Sequence, residues 1–79
     1  KGAARGLFSL AGPEPVTVDL HDLTGRRVRR LHDGLLGGGI HSLSWDGLID
    51  GGGAAPAGVY FVRARLGERL VEGRVTRLR

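Results

Sequence analysis

Gly58-Val59-Tyr60-Phe61-Val62-Arg63-Ala64-Arg65-Leu66, entered through Pro56-Ala57, is the stretch whose reading decides the fold. Tyr60, Val62, Ala64 and Leu66 fall on one side of an extended chain, and Arg63 and Arg65 on the other. That is the period-two pattern of a strand with one buried and one wet face. Upstream, Trp45-Asp46-Gly47 opens a glycine-rich stretch over 46–57 that reads as a long surface loop leading into this strand.

The rest of the chain repeats the pattern. Glycine and proline cut it into short apolar runs with no helix-length periodic segment between them, which predicts an all-β sandwich or barrel. Gly6 to Leu10 is a weak first run, ended by Gly12-Pro13. Val16, Val18 and Leu20 alternate with Thr17, Asp19 and His21, the signature of a well-formed strand. Asp22-Leu23-Thr24-Gly25 predicts a tight hairpin turn led by an Asx residue and closed by a left-handed glycine. The next strand starts near Arg26, and its apolar residues Val28 and Leu31 are three apart, which calls for a bulge or a break after Arg29. Gly37-Gly38-Gly39 is a flexible connection. Beyond it His41, Leu43 and Trp45 share one face and Ile40, Ser42 and Ser44 the other, with Trp45 as a core plug. Gly67-Glu68 makes the last turn, and the closing strand from Leu70 to Leu78 has no clear core face. The expected core is Val16, Val18, Leu20, Val28, Leu43, Trp45, Tyr60 and Val62, with Asp22, Gly25 and Gly58 at turns.

Seventy-nine residues make a single domain, 1–79, with a thin core and no room for a deep active site. There is no cysteine, so neither a disulfide framework nor a thiolate metal site is available, which says little about compartment. No apolar stretch approaches membrane-spanning length, so no membrane insertion is expected. The Lys1 start lacks the pattern of a signal peptide, and any targeting signal is expected upstream. The net charge of +4 sets eleven Arg and one Lys against eight acids. Guanidinium groups suit planar or bidentate anions. The plainer account, solvated arginines that keep strand edges soluble, carries more weight, because net charge bears on solubility and non-specific association.

Few residues offer chemistry. His21, His32 and His41, with Asp19, Asp22 and Asp33, suggest a metal, but no pair has a ligand spacing such as His-x-x-x-His. Asp46-Gly47-x-x-Asp50-Gly51 lacks the further acidic ligands of a calcium loop. Ser9, Ser42 and Ser44 have no nucleophile-elbow context. The glycine runs at 37–39 and 51–53 are followed neither by Lys-Ser/Thr nor by a helix to receive a phosphate. No catalytic residue, metal ligand or cofactor is expected, and the chain does not read as an enzyme.

In order, Asp22-x-x-Gly25-Arg26-x-Val28-x-x-Leu31, Gly39-x-His41-x-Leu43-x-Trp45-Asp46-Gly47, Pro56-Ala57-Gly58-Val59-Tyr60-Phe61 and a short basic last strand form a set. With these the chain resembles the FlgD-like immunoglobulin-fold domain, and is similar to the related C-terminal sorting domains of the bacterial type IX secretion system. The resemblance covers roughly residues 14 to 79. It implies an all-β fold, a small immunoglobulin-like β-sandwich of about seven antiparallel strands without catalysis, at the C-terminus of a larger exported or surface protein. In sorting domains it implies an address read by outer-membrane secretion or attachment machinery; in the hook-capping protein, a structural module packed on neighbouring domains. The Asn-Pro start common in such domains is missing, so 1–13 reads as a degenerate or trimmed first strand. Tyr60 is placed like the tyrosine corner of immunoglobulin-type sandwiches, with Gly58 allowing the sharp entry. Tyr60 and Trp45 are then structural anchors.

In an immunoglobulin-like order, the strands holding Arg27 and Arg29, Arg63 and Arg65, and Arg74 and Arg77 share one sheet. Like charges opposed across strands cost a few tenths to about 1 kcal/mol per pair. Such a face would be relieved by a polyanion or by interleaved Glu68 and Glu72. Anionic surface polysaccharide suits an extracellular domain, whereas nucleic acid is disfavoured for want of aromatics interleaved with the arginines. The chain-terminal edge strand, with Arg74, Arg77 and Arg79, is a second candidate contact, for a secretion receptor. The expected location is secreted or on the bacterial cell surface. The leading functional expectation is a domain that directs or anchors a larger exported protein there. The alternatives are a structural interaction module and an anion-binding module.

Overall fold

The structure, a computed structural model, describes residues 4–78. It is all-β, with strands β1 (Ala4–Leu10), β2 (Glu14–His21), β3 (Arg27–Leu36), β4 (Gly39–Trp45), β5 (Gly58–Leu66) and β6 (Arg69–Arg77). One sheet has the order β3-β2-β5-β6 and the other is the pair β1-β4, with every pairing antiparallel. The two sheets face each other across a shared core, a small immunoglobulin-like β-sandwich. Six strands are present among the described residues, where about seven were expected. The weak first run is nonetheless a full strand, because all seven residues of β1 pair with β4 and place Phe8 and Leu10 on the core side. Residues 1–3 and Arg79 lie outside the described residues.

Turn chemistry sets the register. The Asp22 carboxylate oxygen Oδ1 accepts from the backbone N–H of Thr24 (2.9 Å), the Thr24 hydroxyl (2.6 Å) and the backbone N–H of Arg26 (3.1 Å). Gly25 donates its N–H to the Asp22 carbonyl and has φ of 88°, the left-handed value the turn requires. The Gly67-Glu68 turn has positive φ at Gly67 alone, as a two-residue II′ connection demands. The irregular spacing of Val28 and Leu31 resolves into two register shifts against β2, between Val18/Asp19 and Leu20/His21. These let both residues pack inward although neither fits a strict alternation.

The core forms two clusters. Leu10, Val16, Val18 and Leu66 make one, and Leu20, Trp45, Ala55 and Tyr60 the other. Val28, Leu43 and Val62 are half-buried and pack against them. The 46–57 segment is more than the surface loop expected of it. Ala55 is only 4% exposed, Leu48 bridges Ala54, and Asp50 donates its N–H to the Val28 carbonyl at 2.8 Å. Its glycines let the chain double back; Gly47, Gly51 and Gly52 all have positive φ.

Candidate functional site

The arginine-bearing outer face of the four-stranded sheet is where the sequence points. Backbone register fixes its rows. Across β3-β2-β5-β6 they read Arg27-His21-Phe61-Arg74, then Arg30-Asp19-Arg63-Glu72, then Asp33-Thr17-Arg65-Leu70. The three arginine-bearing strands do lie in one sheet, but β2 stands between β3 and β5. The face is therefore not a field of opposed like charges. Its middle row alternates in sign across all four strands.

Geometry follows the alternation. Arg30 grips Asp19 with two parallel bonds, Nε to Oδ1 at 2.8 Å and Nη2 to Oδ2 at 3.1 Å, and reaches Asp33 at 3.4 Å. Arg63 Nε donates to Glu72 Oε2 at 2.9 Å. The Arg30 hydrogen bond holds the Asp19 carboxyl below the usual carboxylate range, and Asp19 in turn raises Arg30. The Thr24 hydroxyl and the turn N–H groups do the same for Asp22.

The six arginines expected to make the contact face separate into two groups. Arg27, Arg63, Arg65 and Arg74 are exposed on the outer face, Arg27 lying 4.0 Å from Asp50. Arg29 and Arg77 are corrections. Register places Arg29 opposite the inward Leu20, and its Nη1 donates to the Ile49 carbonyl at 3.3 Å. Arg77 pairs with Gly58 on the inner side, and its Nε donates to the Ala55 carbonyl at 2.9 Å. Its guanidinium lies against Gly47, leaving no space there for a Cβ. The register shift between Arg27 and Arg29 brings Arg29 inward, whereas Arg77 is inward by plain alternation with Val75, and both meet carbonyls of the folded-back loop. Glu68 sits in the hairpin turn away from the rows, whereas Glu72 is interleaved. Arg79 lies outside the described residues.

Arg30, Asp19 and Asp33 belong to the face, although the sequence did not single them out for it. The polar side of β2 was visible as Thr17, Asp19 and His21, but which strands flank it is a property of topology. Of the three histidines, His21 belongs to the first row of that face. His41 stacks on Phe8 at 5.5 Å and its Nε2–H donates to the Gly37 carbonyl at 2.7 Å. His21 and His32 each keep one buried ring nitrogen without a partner among the described residues. No three histidines or carboxylates converge as a metal cluster among the described residues.

The two aromatic anchors form the other constellation. Trp45 and Tyr60 meet edge to face at 5.1 Å and 69°. Trp45 Nε1–H donates to the Leu48 carbonyl at 2.8 Å, and the Tyr60 hydroxyl to the Pro56 carbonyl at 2.5 Å. Gly58, with φ of 150°, turns the chain between them. This is the backbone-bonded tyrosine of a sandwich corner.

Comparison with known proteins agrees with this architecture. The family model described as the FlgD Ig-like domain matches residues 1–68, so it takes in β1 and leaves β6 outside. The basal-body rod modification protein FlgD of Escherichia coli (strain K12) is 41% identical over 49 residues, which is 62% of this chain. The match spans about a fifth (21%) of that relative's length. No solved structure matches. With the family model covering five of the six strands of an immunoglobulin-like sandwich whose corner tyrosine, Asx turn and core tryptophan are in place, the chain belongs to the FlgD Ig-like domain family.

Proposed function

We propose that this domain is a structural, non-catalytic interaction module of an exported bacterial assembly, of the surface or hook-capping type. Membership of the FlgD Ig-like family carries the reading, supported by a relative that is itself a basal-body rod modification protein. The outer face adds to it. A sheet whose middle row pairs Arg30 with Asp19 and Arg63 with Glu72 satisfies much of its own charge, and has less need of a polyanion than an all-arginine face. What remains for partners is shape and edge. The location that goes with this reading is outside the cytoplasm, secreted or at the cell surface.

The sorting-address reading is the second, and one observation favours it. β6 is an edge strand, exposed over most of its length, basic, and outside the stretch shared with the family model. Such an edge offers unpaired backbone groups that a receptor can grip. The comparisons give this reading no support, and it ranks below the structural one.

Replacement of the domain in its full-length parent by an inert sandwich of the same size separates the two. A structural module predicts that the parent is still exported but fails to assemble. Fusion of residues 1–79 to the C-terminus of a reporter, in a bacterium with type IX secretion and beside a known sorting domain, is the converse test. Delivery to the surface that depends on β6 would overturn the structural reading.

A further inference from the structure

The two layers of the sandwich differ in width, four strands against two. The pair β1-β4 covers one side of the larger sheet, with β4 against β3. The inner sides of β5 and β6 are left as one wall of an open cleft of about 310 Å³. Gly6 and Phe8 of β1, Val62 and Ala64 of β5, and Gly73 and Val75 of β6 line it. Val71, also on this wall, is 49% exposed.

Both strands bordering the cleft are sheet edges. Among the described residues β1 pairs only with β4 and β6 only with β5. A glycine stands inside each, and register turns both inward, Gly6 opposite Leu43 and Gly73 opposite Val62. A Cβ at either position would meet no atom within 4 Å. Glycine weakens a strand interior, and a common reason for it is the close approach of another backbone. The pair of glycines leaves space for one more chain.

Charge narrows what that chain is. Arg5 is the single charged residue of β1. Opposite Ser44, it points away from the core, so a strand added beside β1 sets one of its own outward residues against it. Opposite charges across strands are favoured. The β6 edge at Glu72 and Arg74 forms the far rim, with both side chains on the outer face and Glu72 engaged by Arg63. A second copy of this +4 chain would bring its own arginines to that rim.

We propose that the cleft binds an extended segment of a partner protein by strand addition to the free edge of β1. The segment sends alternate apolar residues into the cleft and carries an acidic residue on its outward side opposite Arg5, with Leu7 and Ser9 as the other outward positions of β1. This deepens the structural-module reading and rests on it.

The test uses the chain and synthetic peptides of about nine residues, enough to span β1. One alternates valine with aspartate, one valine with lysine, and one has the first composition in two blocks. Amide spectra and hydrogen exchange follow binding. The aspartate peptide is expected to bind, slow exchange along β1 and shift Gly6, Gly73 and Val75. The lysine peptide should bind about three- to tenfold more weakly, and Arg5→Glu should reverse that order. Gly73→Phe, which fills the cleft from within, should abolish binding with the native spectrum otherwise retained. Absence of binding to the folded chain would overturn the proposal, as would equal binding of all three peptides or indifference to Gly73→Phe. A concentration-dependent dimer that covers the cleft would replace the partner with a second copy and overturn it too. A chain that binds no peptide yet is required for assembly of its parent overturns this inference alone. One that binds but is dispensable for assembly overturns the structural reading instead.

Discussion

The two ends of the sandwich interior are built differently. At one end Leu20, Trp45, Ala55 and Tyr60 are closed over by the 46–57 loop. Each aromatic there fills space with its ring and ties the loop with its polar tip, Trp45 to Leu48 and Tyr60 to Pro56. At the other end Leu10, Val16, Val18 and Leu66 are buried aliphatics with no polar tip to hold a covering segment. The cleft between Gly6 and Gly73 stands open beside them, and its lining reaches across to Leu20 and Trp45. The same two sheets make both ends. Two amphipathic aromatics and a glycine-rich loop account for the difference.

The largest effect expected is from Trp45→Ala, which empties the closed end and should cost about 3–5 kcal/mol, a large share of what a domain of this size has. Chemical denaturation followed by circular dichroism measures it. An unchanged midpoint would mean that the closed end is not where stability resides. Tyr60→Phe is subtler, because the ring stays and only the bond to Pro56 goes. Leaving that carbonyl without its donor should cost about 1–2 kcal/mol. A loss as large as that of Trp45→Ala would mean that the loop, rather than the ring packing, holds this end together.

The closed end was also the more legible in sequence. Trp45 and Tyr60 were readable as anchors because each sits on the apolar side of a clean alternation, and Asp22 with Gly25 because few residues can make that turn. Ala55 was not. A small residue in a glycine-rich run carries no period, and its burial depends on the loop folding back against β3. The outer face shows the same limit. Alternation told which side chains point outward, but strand order decides which of them meet. The insertion of β2 turned an expected arginine field into the row Arg30-Asp19-Arg63-Glu72. Arg29 was misplaced because a bulge moves a side chain from one face to the other, and Arg77 because it stands three residues from Arg74 and so on the opposite face of a regular strand. The cleft had no signature beyond two unremarkable glycines, because an unfilled space is a relation between strands distant in sequence.

Acid should act on the turn that leads out of the closed end and on the Asp19–Arg30 pair beside it. Both Asp19 and Asp22 are held below the ordinary value of 3.8 when folded. A depressed folded value means that the contribution is complete above the unfolded value and disappears as pH falls through the folded one. The unfolding midpoint should therefore be level from neutral pH down to about 5 and fall below about 4. Asp22→Ala should lower the neutral plateau and flatten part of that acid limb, and Asp19→Ala part of the rest. An acid limb unchanged in both variants would place the responsible carboxylates elsewhere.

The smallest effect tests the open end most directly. Gly73→Ala adds one methyl group that faces the cleft and meets nothing within 4 Å, at a position whose φ is not in the left-handed region. An alanine in an unstrained strand narrows the unfolded ensemble and covers a little of Val62, so the variant should be more stable by about 0.5 kcal/mol. The same exchange at Gly58, where φ is 150°, should be destabilising instead. Opposite signs at two glycines of adjacent strands would show that one serves backbone conformation and the other open space. A loss of stability at Gly73 would mean that the cleft is closed in solution by a close-fitting neighbour, and the contrast between the two ends would fall.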